Sequence, residues 1–300
     1  MSRDLSPDLE TREKSPESSQ TERGRAARRR DEGRTLAPEV REVRPREVPS
    51  KEARTVLYDR YRAYDLRESE AQTLSDLGKF RVIAADDLAH FAYVRDRARM
   101  EQEATNLTRL GLVQEKRVET SLSRTTRMYT LTKAGRRALA TSERMPKGQE
   151  IYAGFVKPKE ARHDAELYRV YHQEASRIET RGGRVGRVLL DYELKKNVNR
   201  ELMRLGREKD DLAKKQEVAE RYGLRVVEGR IPVPDMQIEY EMPEQGMARV
   251  NLELTTGDYR PRQLAEKALA GFTIYSHRED GARVRRILND RELSAEILSL

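Results

Sequence analysis

Apolar residues recur at helical spacing through the first half of the chain. This spacing predicts helices over residues 52–64, 66–80 and 84–92, the last with an acidic start that complements the helix dipole. A further helix over residues 96–110 places Met100, Ala104, Leu107 and Leu110 on one stripe, and Gly111 is positioned to end it. From residue 52 onwards, the chain is therefore predicted to begin with consecutive helices.

The pattern changes after Gly111. Residues 112–118 and 127–131 both suit strands, and the polar residues 119–126 separate them, so a β-hairpin is predicted. Thr132 then provides an N-cap for a helix over residues 132–139.

The second half mixes both patterns. Residues 145–160 contain two prolines and two glycines and are predicted to be a linker, and helix 161–180 and strand 185–194 follow. Residues 195–223 look helical but carry too few apolar residues for a buried helix, so we interpret them as a charged insertion. Sheet segments are expected over 224–227, 233–240 and 248–255, then helices over 261–274 and 281–290 and a short apolar end at 296–300.

The first 50 residues differ in composition from the rest. They carry 12 Lys and Arg against 11 Asp and Glu, and they have almost no large apolar side chains. Burial cannot offset the ordering entropy of such a segment, which predicts a disordered charged tail. We therefore expect a tail over 1–50, a first domain over 51–145, a linker over 146–160 and a second domain over 161–300 with the insertion at about 195–223.

Charge and composition narrow the classes of function. The net charge is +8, and residues 95–144 alone hold 12 Lys and Arg against 6 Asp and Glu, which favours a polyanionic partner for this region. The absence of cysteine excludes disulfides, thiolate zinc sites and cysteine nucleophiles. No P-loop or dinucleotide motif occurs. Without an apolar leader or a long apolar run, we expect a soluble cytoplasmic protein with no membrane partner.

Three helices, the segment RLGLV, a hairpin and the segment YTLTKAGRRAL follow one another in the order of a winged helix-turn-helix. The resemblance to that superfamily implies a recognition helix in the major groove of double-stranded DNA and a wing against the backbone. Arginine can bind guanine, and Gln or Asn can bind adenine. The candidate DNA-binding residues are Arg95, Arg97, Arg99, Gln102, Asn106, Arg109, Arg124 and Arg127.

The second half resembles the PD-(D/E)xK nuclease fold, in which an Asp and a Glu at adjacent strand ends share Mg²⁺. Pro234-Asp235 and Glu253 match that pattern, and Asp235 and Glu253 are the candidate metal ligands. The lysine expected at position 255 is replaced by Thr255, and Lys267 is the candidate to supply the missing charge. Glu166 could add a carboxylate.

Both halves together, with HDAEL, PD and LELTTG in this order, resemble the replication-relaxation family of plasmid and mobile-element proteins. The resemblance implies DNA binding in plasmid replication, mobilisation or their control. His163 lies where that family begins its second domain, and we interpret it as a capping or packing residue.

The expected fold class is α+β: an N-terminal winged helix-turn-helix and a C-terminal α/β restriction-endonuclease-like domain with a mixed sheet, after a disordered tail. The leading hypothesis is a DNA-binding protein of a mobile element with a non-catalytic nuclease-like domain, partnered by double-stranded DNA and by a second copy or the replication and relaxase machinery. One alternative is an active Mg²⁺-dependent endonuclease that uses Asp235, Glu253 and Lys267. Another is a winged-helix repressor that dimerises through helix 52–64 or the second domain.

Overall fold

A computed structural model of the chain describes residues 53–60, 62–120, 124–206, 211–255 and 259–300, and the predicted tail over residues 1–50 lies outside them. The described residues form nine helices and ten strands. The strands make a two-stranded sheet, a three-stranded sheet and a mixed five-stranded sheet. The expectation of an α+β protein with a mixed sheet is confirmed.

The described chain begins with a β-hairpin, so the helix predicted over 52–64 is wrong. Strands β1 (Arg54–Asp59) and β2 (Arg62–Arg67) pair antiparallel, with Leu57 opposite Tyr64. Leu57, Tyr64 and Leu66 are buried, whereas Val56 and Tyr58 are exposed, which is the period of two that a half-buried strand shows. In so short a segment, the few apolar residues fit both periods, and tertiary burial selects the strand.

Helices and a hairpin follow in the predicted order. They are α1 (Glu68–Lys79), β3 (Ile83–Ala84), α2 (Ala85–Phe91), α3 (Arg97–Arg109), β4 (Val113–Thr120), β5 (Arg124–Leu131) and α4 (Lys133–Ala140). Asp96 caps α3 by accepting from the Arg99 N–H, and Gly111 has a φ of +74° just after the helix. The predicted N-cap Thr132 accepts from the Gly135 N–H and is confirmed.

The second half builds the mixed sheet. Its elements are α5 (Pro158–Thr180), β6 (Arg184–Leu190), α6 (Asp191–Arg204), α7 (Asp211–Arg221), β7 (Met236–Met242), β8 (Gly246–Thr255), α8 (Pro261–Leu269), β9 (Thr273–Ser276), α9 (Gly281–Asn289) and β10 (Ile297–Ser299). The strand order is β10-β9-β8-β7-β6. Strands β6, β7 and β8 are antiparallel neighbours, and β9 runs parallel to both β8 and β10.

Three expectations for the second half are corrected. Residues 224–227 form no strand, and only an isolated bridge joins Val227 to Arg230. The expectation that the segment 195–223 has too few apolar residues to be buried is wrong for α6 and α7, because Val198 and Val218 are buried in a small core with Phe272. The predicted helix 261–274 ends at residue 269, and its last residues belong to β9.

One hydrophobic core runs through both halves. Phe80, just after α1, packs against Tyr168 and Tyr171 of α5 at ring-centroid distances of 5.1 and 5.2 Å. The segment between α4 and α5 is hydrogen-bonded to α1, since the Tyr152 N–H donates to the Gly78 carbonyl at 2.9 Å. The described residues belong to one compact unit, and the predicted domain boundaries stay a prediction.

No helix in the described ranges is long and apolar enough to cross a membrane.

Candidate functional site

Helix α3 has two distinct faces. Met100, Ala104 and Leu107 are buried in the core. The opposite side presents exposed residues at helical spacing: Ala98, Gln102, Thr105 and Arg109. This outward face is the part of α3 that a partner can reach.

A polar network under α3 holds the helix against α1. Glu103 is completely buried, and its carboxylate accepts from Arg99 Nε at 2.9 Å and from the Ser69 hydroxyl at 2.6 Å. The Arg99 guanidinium also donates to Ser69 at 2.8 Å. Arg99, a candidate for base contact, is therefore turned to the interior, with a side chain only 10% exposed.

A groove of about 360 Å³ runs along the outward face, and we call it the α3 groove. It brings together three predicted DNA-binding residues with others from β1, β2, α1 and α3, and is lined by Arg54, Arg67, Glu70, Gln102, Thr105, Asn106 and Arg109. Within it, Asn106 donates to Glu70 at 2.6 Å and Arg109 donates to Asn106 at 2.9 Å. Gln102 also lines a second groove, which extends towards Ala98.

The remaining predicted DNA-binding residues lie elsewhere. Arg97 pairs with Asp86 at 2.6 Å and with Glu101 at 3.1 Å, and Arg127 pairs with Glu101 at 2.6 Å. Arg97 and Arg127 line a cleft of about 650 Å³ whose far side is helix α5. Arg95 is exposed before α3 with a φ of +67°. The side chain of Arg124 lies outside the described residues.

The second half brings the predicted carboxylates together. Asp235 directly precedes β7 and Glu253 lies near the end of β8, so the antiparallel pairing of Met236 with Leu252 sets them side by side. The Asp235 N–H donates to Glu253 Oε2 at 3.3 Å. Lys267 reaches back from α8, and its Nζ lies 2.9 and 3.0 Å from the two oxygens of Glu253.

Two further side chains complete what we call the acidic cluster: Asp235, Glu253, Lys267, His163 and Tyr259. His163 lies inside α5 and so does not cap it, and it packs with its Nε2 3.4 Å from Asp235 Oδ1. The Tyr259 hydroxyl donates to Glu253 Oε1. The cluster therefore joins helices α5 and α8 to the ends of β7 and β8.

Burial and charge shift the titration of the acidic cluster. Burial, reinforced by the neighbouring Asp235 carboxylate, raises the pKa of Glu253 to about 7. Burial opposes ionisation of Asp235 too, but the contact with His163 outweighs it and the pKa of Asp235 is lowered. Burial alone would lower the pKa of His163, yet the Asp235 carboxylate raises it to about 9.

Two other candidates do not join this cluster. Glu166 pairs with Arg162 at 3.0 Å and with His277 at 3.2 Å. Thr255 is buried and its hydroxyl donates to the Tyr275 carbonyl at 3.1 Å. Across the described ranges, no group of three or more Asp, Glu or His side chains has the geometry to hold a metal ion.

Sequence reasoning missed Arg54, Arg67 and Tyr259, and it gave His163 no place beside the carboxylates. Arg54 was hidden by the wrong helix over 52–64 and Arg67 by the early start of the helix predicted over 66–80, since only a hairpin carries them to α3. A histidine four residues before the inward Leu167 was a weak signal for His163, and Tyr259 gave none.

A scan against protein-family models and searches of curated proteins and of solved structures found no match to this chain.

Proposed function

We propose that this protein binds double-stranded DNA through the outward face of α3 and the hairpin β4–β5, in the manner of a winged helix-turn-helix. The observation that carries the proposal is the α3 groove. In it, Gln102 and Arg109 stand exposed on one helix face, with Arg54 and Arg67 beside them. Such residues can contact base edges and phosphates together.

The arrangement around α3 supports this proposal. Three helices precede a hairpin, and β3 pairs with β5 in a three-stranded sheet, which is the usual order of a winged helix. Lys116 and Arg117 are exposed on β4, and Lys133 and Arg136 are exposed on α4. Cationic side chains on these elements fit a polyanionic partner.

For the second half we propose a nuclease-like fold that does not cleave DNA. The support is the order of elements: helix α5, strand β6, helices α6 and α7, antiparallel strands β7 and β8, helix α8 and parallel strand β9. Asp235 and Glu253 lie at adjacent ends of β7 and β8. Thr255 in place of the expected lysine argues against cleavage. The resemblance to the replication-relaxation family extends the proposal to a role in replication or mobilisation of a plasmid or mobile element, or in their control.

The binding proposal is tested with the full chain and a labelled duplex, by fluorescence anisotropy between about 50 and about 200 mM salt. We expect binding that weakens steeply with salt. The double variant Gln102→Ala/Arg109→Ala should bind about tenfold more weakly or worse, which corresponds to the loss of one good base contact. The matched control is Arg204→Ala/Gln216→Ala, which removes an exposed arginine and an exposed glutamine from α6 and α7.

Equal losses in both double variants, or no duplex binding by the unsubstituted chain, would refute the interface. Cleavage is examined in parallel with supercoiled plasmid and Mg²⁺ or Mn²⁺. Nicking that the double variant Asp235→Ala/Glu253→Ala abolishes would establish the endonuclease alternative instead.

A further inference from the structure

The Asp235 carboxylate is engaged on both oxygens. Oδ1 faces His163 Nε2 at 3.4 Å, and Oδ2 accepts from the Leu254 N–H at 2.9 Å. The donor from Leu254 is a backbone group within β8, so it cannot turn away without disturbing the strand. Only the side facing His163 can open by movement of a side chain.

The Glu253 carboxylate is also saturated. Its Oε1 accepts from the Tyr259 hydroxyl and lies 2.9 Å from Lys267 Nζ. Its Oε2 lies 3.0 Å from the same ammonium and 3.3 Å from the Asp235 N–H. The Glu253 side chain is 1% exposed, which leaves little space for water.

These contacts do not fit a divalent metal. Mg²⁺ demands oxygen ligands at about 2.1 Å in octahedral geometry and keeps several of its waters. Here each carboxylate oxygen already faces a donor, and an ammonium group lies against both oxygens of Glu253. An incoming cation would meet Lys267 at one carboxylate and His163 at the other.

We propose that His163 and Lys267 occupy the place of the divalent cation in this chain. The acidic cluster is a closed internal ion-pair cluster that fastens α5 and α8 to the ends of β7 and β8, and it does not bind Mg²⁺ or Mn²⁺. His163 is the residue that closes it, because its side chain is the most exposed of the four charged partners, at 33%. This inference concerns the cluster alone and stands or falls separately from DNA binding.

The experiment measures binding of Mn²⁺ alone to the full chain, without DNA, by the loss of the electron paramagnetic resonance signal of free Mn²⁺. We expect no saturable binding to the unsubstituted chain. His163→Ala should gain saturable Mn²⁺ binding that the unsubstituted chain lacks, because an opposing donor next to Asp235 is gone. His163→Ala/Asp235→Asn should lose that gain.

The matched control is His277→Ala, which removes a histidine that contacts a carboxylate on the same helix α5, that of Glu166. It should leave Mn²⁺ binding unchanged. A His163→Ala chain that binds no better than the unsubstituted one would overturn the role of His163. Because that variant can fail to fold, the unsubstituted chain gives a second test: saturable Mn²⁺ binding there that Asp235→Asn removes would overturn the closed cluster.

Discussion

The outward face of α3 and the acidic cluster both carry residues suited to a function, but they differ in what is left available to a partner. Gln102 and Arg109 of α3 are exposed beside an open groove. Asp235 and Glu253 have every carboxylate oxygen engaged by an internal donor. The outward face of α3 is therefore open to a ligand, whereas the carboxylates of the acidic cluster are already occupied by donors from the same chain.

The two regions together show that the type of a residue is a weak guide to its function when its partner lies in the same chain. Two arginines of α3 illustrate this. Arg99 and Arg109 carry the same charge, but Arg99 donates a hydrogen bond to the buried Glu103. Burying a charged group is costly unless it is paired, so a buried charge with good partners is first of all part of the structure.

The largest expected effect comes from the inner side of α3. Glu103→Ala should lower the free energy of unfolding by about 3 kcal/mol or more, because it leaves Arg99 buried without its carboxylate. Urea unfolding followed by circular dichroism measures this. Glu101→Ala, on the same helix but partly exposed, is the control and should cost far less. Equal losses of stability in the two variants would mean that Arg99 does not depend on Glu103 and belongs with the exposed residues of α3.

A smaller effect is expected where the two halves meet. The Gln149 side chain donates to the Val188 carbonyl at 2.7 Å and accepts from the Val188 N–H at 2.9 Å, on the free edge of β6. Gln149→Ala should cost about 1 to 3 kcal/mol, since buried backbone groups lose their partner. The exposed Gln216→Ala serves as control in the same urea experiment. A negligible cost would mean that residues 146–157 only connect the halves.

The third prediction concerns pH and the acidic cluster. The folded pKa of His163, about 9, lies above its ordinary 6.5, so its contribution to stability is complete below pH 6.5 and is lost as pH rises through about 9. His163→Gln should therefore be less stable than the unsubstituted chain near neutral pH, with a difference that shrinks above about 9. Unfolding at a series of pH values tests this, and a difference independent of pH would contradict the ion pair.

Much of the α3 region could be predicted from sequence. The apolar stripe of α3, its cap at Asp96 and the N-cap of α4 at Thr132 are local signals that act within one or two turns. The direction of the Arg99 side chain could not be predicted, because it depends on Glu103 and on Ser69, which lies 30 residues away.

Less of the acidic cluster could be predicted from sequence. The resemblance to the PD-(D/E)xK fold implied the pairing of Asp235 with Glu253 and made Lys267 a candidate, but the contact with His163 joins residues that are far apart in the chain. The hairpin of β1 and β2 was missed for a related reason, since the burial of Leu57 and Tyr64 depends on core residues distant in the chain.

The mixed α+β class, the positions of most helices and strands, and a charge distribution that favours a polyanionic partner follow from the sequence, because periodicity, caps and charge are local properties. Only tertiary contacts place the hairpin of β1 and β2 beside α3, turn Arg99 inward and bring His163 against Asp235. Those outcomes depend on burial and on hydrogen-bond partners distant in the chain, which no local pattern records.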